Sequence, residues 1–188
     1  MKMDEQDLVL RLQQGDEMAF VKIVNSYKDK IVNYLYHLTG DYQRAVELSQ
    51  ETFLRVYFKA RKYKPIAPFS SWVYTIASNL AKTELKKMSK IKTIPLDELK
   101  RNPEIESTSI DFRKKEKIAR VKKALDSLPP KYKIPIILKD IEGFTQEEIA
   151  KMLKAPIGTI KARISRGRNI LKNELERGEI YSEEKKGG

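Results

Sequence analysis

The chain has 188 residues, no cysteine, a single histidine and a formal net charge of +12. That length allows one or two compact domains; the missing cysteines exclude disulfides and thiolate metal sites, and one histidine excludes a histidine triad or a histidine-based metal cluster. The basic excess favours a polyanionic partner, nucleic acid first, and with neither an apolar span nor a leading hydrophobic segment the expected location is the cytoplasm, without membrane insertion.

From the N-terminus, Asp4 to Gln14 reads as a helix with Leu8 and Leu12 in register, closed by Gly15, and Asp16 offers a cap for the next. Phe20, Ile23, Val24, Tyr27, Ile31, Leu35 and Leu38 then recur at helical spacing up to Gly40, where Asp41 caps a third helix expected to reach about Lys62. His37 falls in the apolar-rich run Ile31 to Leu38, the setting of a partly buried or surface side chain rather than a catalytic one. On the third helix Glu47, Gln50, Glu51 and Leu54 share one face, an acidic stripe on a basic protein that suits a protein partner or plain solvent. Prolines in Lys64-Pro65-Ile66-Ala67-Pro68 interrupt the helical pattern, and Ser70 or Ser71 is expected to cap a fourth helix from Trp72 to about Lys87. Its buried side is Trp72, Val73, Ile76 and Leu80, with Trp72 and Phe69 assigned to the core. Thr75, Ser78, Asn79, Lys82 and Lys86 form a polar strip that could follow a DNA strand.

Between Met88 and Phe112 the periodicity fails, and Pro95, Pro103 and the polar run Glu104 to Ser109 mark a connector. Helical spacing returns at Ile118, Val121, Leu125 and Leu128, stops at Pro129-Pro130, and resumes through Ile134, Ile137, Leu138 and Ile141 to Gly143; Pro135 there is either tolerated or a kink. The expected fold class is all-α, with two small helical domains joined by a flexible linker, the C-terminal one containing a helix-turn-helix. The boundaries are 1–88, a linker over 89–112, 113–178, and a disordered tail over 179–188.

Thr145 to Leu175 carries the most specific signal. Thr145 and Glu148 form a T-x-x-E capping box, Ile149, Met152 and Leu153 fall on one face, and Lys154-Ala155-Pro156 stops that helix and seeds the next. Advancing about 100° per residue, Ile160, Ile164, Gly167, Leu171 and Leu175 line one side of the following helix, Gly167 being small enough to admit a close neighbour. Lys161, Ala162, Ser165, Arg166 and Asn169 occupy the other side, with Arg163 and Arg168 at its margins and Thr159 near its start; no acid interrupts Ile157 to Asn173. Arginine and asparagine there suit base edges in a major groove, and the flanking cations suit phosphates, whereas a lone basic helix would as readily be a solvated surface.

Three motifs in one order, AVELSQETFLRVY, FSSWVYTIASNLAKTELKK and LPPKYKIPIILKDIEGFTQEEIAKMLKAPIGTIKARISRGR, resemble bacterial RNA polymerase sigma factors of the extracytoplasmic function (sigma-70 family, group 4) type. The resemblance spans nearly the whole chain outside the linker and tail. It implies that the N-terminal domain corresponds to region 2, which binds the beta-prime clamp helices of core RNA polymerase and recognises and opens the −10 element; the C-terminal domain corresponds to region 4, which binds the −35 element and the beta flap. The implied partners are core polymerase, promoter DNA both duplex and single-stranded, and an anti-sigma factor. By the same resemblance Glu47, Leu48, Gln50, Glu51 and Leu54 face polymerase, Asn79 and Lys82 lead the −10 contacts, and the Lys64 to Ser70 loop forms a pocket for an extruded base. This chain departs from the usual pattern in having one acid at Val46-Glu47, Thr75 at a commonly basic position, and Pro65-Ile66-Ala67-Pro68 in place of a polar, glycine-containing loop.

The inferred role is non-catalytic, with no metal and no cofactor, because the carboxylates are scattered on helical surfaces without a metal-binding pattern. A two-domain repressor or activator acting without polymerase is the main alternative, since the helix-turn-helix alone allows it; a small nuclease is a further one.

Overall fold

The computed structural model describes residues 5–91 and 112–184, with side chains over 5–89 and 118–177. Among the described residues the regular elements are helical, without a strand. Helices α1 (Glu5–Gln13) and α2 (Glu17–Thr39) meet at Asp16, whose carboxylate accepts from the Met18 and Ala19 N–H groups and from the Arg11 guanidinium. The Arg11 contact, ahead of those backbone bonds, holds the Asp16 carboxyl below its usual range. α2 ends at Gly40, which takes the left-handed conformation (φ 73°) that glycine adopts without strain. Asp41 caps α3 (Tyr42–Lys59), and a 3-10 turn, Ala60–Lys62, carries the chain to the proline loop.

α4 (Phe69–Ile91) begins before the expected caps, so Ser70 and Ser71 lie inside its first turn. The Pro68 carbonyl already accepts from Trp72 N–H, and Phe69 is buried against Tyr27, Tyr63 and Trp72; packing of that ring draws the helix start forward. Ile23, Ile31, Tyr34, Leu35 and Leu38 of α2 form the centre of this half, closed by Leu48 and Val56 of α3 and Val73 and Ala77 of α4. Each such side chain removed from water contributes roughly 1.5–3 kcal/mol before entropy is counted.

The second half comprises α5 (Phe112–Ser127), α6 (Pro130–Ile136), α7 (Gln146–Leu153) and α8 (Ile157–Glu184). Pro135 inside α6 has no N–H to offer the preceding turn, and the backbone directly after it widens into a π-helical turn, Ile137–Ile141, in which Glu142 N–H reaches back to the Ile137 carbonyl. The altered phase keeps Ile134, Ile137 and Leu138 buried but turns Ile141, which shares their helical spacing in the sequence, outward. Ile118 and Val121 are exposed, while Ala124 of α5 and Leu128 just after it are buried. α8 runs on to Glu184, past the boundary at 178, and the rest of the expected tail, like most of the linker, lies outside the described residues.

The halves are not separate bodies. α4 packs against α6 and α7, α2 packs against α5 and the π turn, and their buried side chains form one continuous core.

Candidate nucleic-acid interface

The helix-turn-helix is built from local chemistry outward. The Thr145 hydroxyl accepts from Glu148 N–H at 3.2 Å while the Glu148 carboxylate accepts from Thr145 N–H at 2.8 Å, so two orphan donors at the start of α7 are satisfied reciprocally. Lys154 ends α7 in the left-handed region (φ 50°), Ala155 N–H returns to the Ala150 carbonyl, and Pro156 leads into α8. Ile149 and Met152 meet Ile160 and Ile164 in the core. At Gly167 a Cβ would stand 2.3 Å from Ile136 Cδ1 and 3.1 Å from Tyr132 Cβ, so this glycine is what lets α8 lie directly on α6.

Held this way, α8 leaves Lys161, Ala162, Ser165, Arg166, Arg168 and Asn169 exposed, with Thr159 and Arg163 half-buried at the margin. Arg168 is not a free cation: its Nε and Nη2 donate to the two Asp140 carboxylate oxygens at 3.0 and 2.5 Å, which raises its already high pKa and ties α8 to the π turn. Arg166 lies beside the Tyr132 hydroxyl, which Lys131 and then Arg166 hold below its usual pKa.

On α4 the polar strip divides. Asn79 and Lys86 are exposed, and Thr75 is half-buried with its hydroxyl donating to the Ser71 carbonyl at 2.7 Å. Ser78 is fully buried, its hydroxyl bonded to Tyr34 Oη and to the Tyr74 carbonyl, so it is an internal tie between α2 and α4 and not a surface contact. Lys82 is half-buried, and burial, then the neighbouring Arg163 and Lys86 charges, push its pKa down. The proline loop and the start of α4 border a cavity of about 400 Å³ lined by Lys62, Tyr63, Ile66 and Trp72, and also by Glu148, Lys151 and Met152 of α7. Trp72, assigned to the core from its spacing, lies tilted against Tyr63 and Phe69 and is half-buried, lining this cavity.

On α3 Glu47, Gln50 and Leu54 are exposed and Glu51 is half-buried, whereas Leu48 is 2% exposed and supports the helix from within. Glu47 pairs with Arg44 and Glu51 with Arg55, and Arg44 also reaches Glu84 of α4 at 2.7 Å, fixing the two helices together. Leu54 is 55% exposed, and one turn on, Phe58 is 76% exposed. Phe58 was missed, although its spacing from Leu54 puts it on the same face. Among the described residues no group of three or more His, Cys, Asp or Glu could hold a metal ion, and no helix is long and apolar enough to cross a membrane.

Two helical units, one with a helix-turn-helix and one with an acid-and-leucine helix beside a polar strip, match known families. Residues 23–91 match the model for sigma-70 region 2 and residues 118–171 the model for sigma-70, region 4. The chain is 30% identical to the ECF RNA polymerase sigma factor SigW of Bacillus subtilis over 183 residues, covering 89% of this chain and 94% of that protein. It is 33% identical to the ECF RNA polymerase sigma factor SigE of Mycolicibacterium smegmatis, covering 86% of this chain and 64% of that longer one. The fold resembles CnrH, solved in complex with the cytosolic domain of CnrY (TM-score 0.70, 19% identity, 93% of this chain and 99% of that one). It also resembles the sigma factor RpoE of Bartonella quintana, solved with the anti-sigma factor NepR (TM-score 0.65, 24% identity, 84% and 96%). The chain belongs to the ECF RNA polymerase sigma factors of the sigma-70 family, and is a transcription-initiation factor with regions 2 and 4.

Proposed function

We propose that this sigma factor joins core RNA polymerase through the α3 stripe, Glu47, Gln50, Glu51 and Leu54, and through its C-terminal unit against the beta flap. In the holoenzyme α8 reads the −35 duplex with Lys161, Arg166 and Asn169, while Asn79, Lys82 and Lys86 follow the nontemplate strand of the −10 element. The observation that carries this reading is the exposed, acid-free cationic face of α8, seated on the core by Gly167, in a chain that also carries region 2. Arg166 and Asn169 offer paired hydrogen bonds to base edges, and the lysines offer charge to phosphates. The cavity beside Trp72 and the proline loop has the size and aromatic lining to receive an unstacked base.

No step of bond chemistry falls to this chain; melting is driven by binding energy, and phosphodiester synthesis belongs to the polymerase. The domain division at 88 and 113, action in the cytoplasm and an anti-sigma partner complete the reading, the last supported by neighbours of the same fold solved with such partners. The purified chain with core polymerase and a promoter library tests it. Promoter-specific transcripts are expected; duplex binding without transcripts would instead identify a stand-alone regulator.

A further inference from the structure

The proline loop is fixed by its own hydrogen bonds. Gln13 Nε2 donates to the Ala60 and Tyr63 carbonyls at 3.0 and 2.9 Å, the Tyr63 hydroxyl to the Ala67 carbonyl at 2.7 Å, and Ile66 N–H to the Lys64 carbonyl at 2.7 Å. Pro65 and Pro68 restrict φ on either side of Ile66 and Ala67. The cavity of about 400 Å³ bordered by this loop is thus preformed, and little ordering cost opposes an occupant. Its walls come from both units: Tyr63 and Trp72 from the first, Lys151 and Met152 of α7 from the second. Most of its polar side chains are already engaged. Thr75 donates to the Ser71 carbonyl, and the Glu148 carboxylate accepts from the Thr145 N–H and hydroxyl. Ser71 is the exception: it lines the cavity, is 4% exposed, and its Oγ has no hydrogen-bond partner. A buried hydroxyl without a partner forfeits the bond it made to water, so an occupant that supplies one is favoured. Lys62, Lys64 and Lys151 stand around the same cavity against a single carboxylate, Glu148, and that balance selects an anion.

A planar ring for Trp72 and Tyr63, a polar ring edge for Ser71 and a negative charge for the lysines are combined in one small molecule, a nucleotide. From these groups we infer that the chain holds a binding site for a free nucleoside monophosphate between the proline loop and α7. The base lies against Trp72 and Tyr63, the phosphate among Lys62, Lys64 and Lys151, and Ser71 Oγ bonds the base edge after turning to another staggered rotamer. This goes beyond −10 capture, which places a base of the strand in the same cavity. Nucleobase and phosphate are common to both occupants, so where both readings hold, the free nucleotide and the strand exclude one another.

Trp72 is the only tryptophan of the chain, so its fluorescence reports on this cavity directly. The full-length free chain is titrated with AMP, GMP, CMP and UMP, with equilibrium dialysis alongside. At least one of the four should quench Trp72 saturably with a Kd below about 1 mM, and the matching nucleoside and inorganic phosphate should each bind at least about tenfold more weakly. Ser71→Ala deletes an unpartnered polar atom, so it should keep wild-type stability in urea or exceed it, and weaken the nucleotide about three- to tenfold. Lys151→Ala, at an exposed position of α7, should weaken the nucleotide about threefold and leave the nucleoside unchanged. Absence of both quenching and retention for all four, equal binding of nucleoside and nucleotide, or unaltered binding by Ser71→Ala each overturns the site. Quenching by a nontemplate-strand −10 oligonucleotide and by none of the four reserves the cavity for the strand, which defeats this inference and supports the proposed function. Nucleotide binding by a chain that yields no promoter-specific transcripts with core polymerase upholds the site and defeats that function instead.

Discussion

Arg166 and Arg168 sit two residues apart on one basic helix and are expected to behave differently. Arg166 is exposed on the reading face beside Tyr132, so Arg166→Ala should cost duplex binding about 1–3 kcal/mol and relax sequence preference at one base pair. Arg168 is committed to Asp140, and Arg168→Ala should leave sequence preference alone and lower folding stability by about 1 kcal/mol at most, since the pair is solvent-accessible. Binding to a randomised −35 duplex alongside urea unfolding separates the two; equal loss of preference in both would show that Arg168 abandons Asp140 for DNA. On α4, Asn79 is exposed while Ser78 beside it is internal. Asn79→Ala should therefore impair opening with duplex affinity retained, and normal permanganate reactivity at the −10 region would remove it from the strand path.

Within α3, position on the helix decides between folding and partner binding. Leu48 is enclosed by the core, so Leu48→Ala should destabilise the chain by about 2–5 kcal/mol. Leu54 and Phe58 project into solvent one turn apart, and Leu54→Ala with Phe58→Ala should weaken polymerase binding at nearly unchanged stability. Urea midpoints together with polymerase pull-down measure both; full polymerase binding by the double variant would move the interface off this face. The π turn after α6 makes a different demand on stability. Glu142 there is half-buried, and burial raises its pKa despite the Tyr74 hydrogen bond and the Lys30 charge, which act the other way. A carboxyl with a folded pKa above its unfolded value contributes stability that is present below the unfolded pKa and lost as pH rises through the folded one. Glu142→Gln, which still accepts from Tyr74, should thus be the more stable form at neutral pH, with its advantage shrinking towards pH 4. A difference independent of pH would assign the effect to packing.

For the molecule as a whole, duplex binding should be governed by charge. Each phosphate neutralised adds about −0.9 to the slope of log affinity against log salt, and Lys161→Ala should reduce the slope by about one such increment without changing sequence preference. A salt-independent affinity would contradict the electrostatic reading.

Much of this protein was legible from residue order because the signals are local. Asp16, Asp41 and Thr145 cap helices by bonds within a few residues, Gly40 ends α2 through its own backbone freedom, and Gly167 with Ile160 and Ile164 declares the buried side of α8 by periodicity alone. The resemblance to the sigma family rested on three motifs in one order, from Ala45, Phe69 and Leu128 onward. Long-range packing decided the rest. Phe69 enters the core and moves the start of α4 forward, Pro135 shifts the helical phase and expels Ile141, and the Tyr34 hydroxyl claims Ser78 from a strip that spacing had placed on the surface. The contact of Tyr74 with Glu142 and Phe144 joins residues far apart in the chain, and no periodicity or capping rule registers a contact across such a separation. Local geometry determined which helices exist and which faces are basic or apolar; only tertiary packing determined which of those faces another helix already covers.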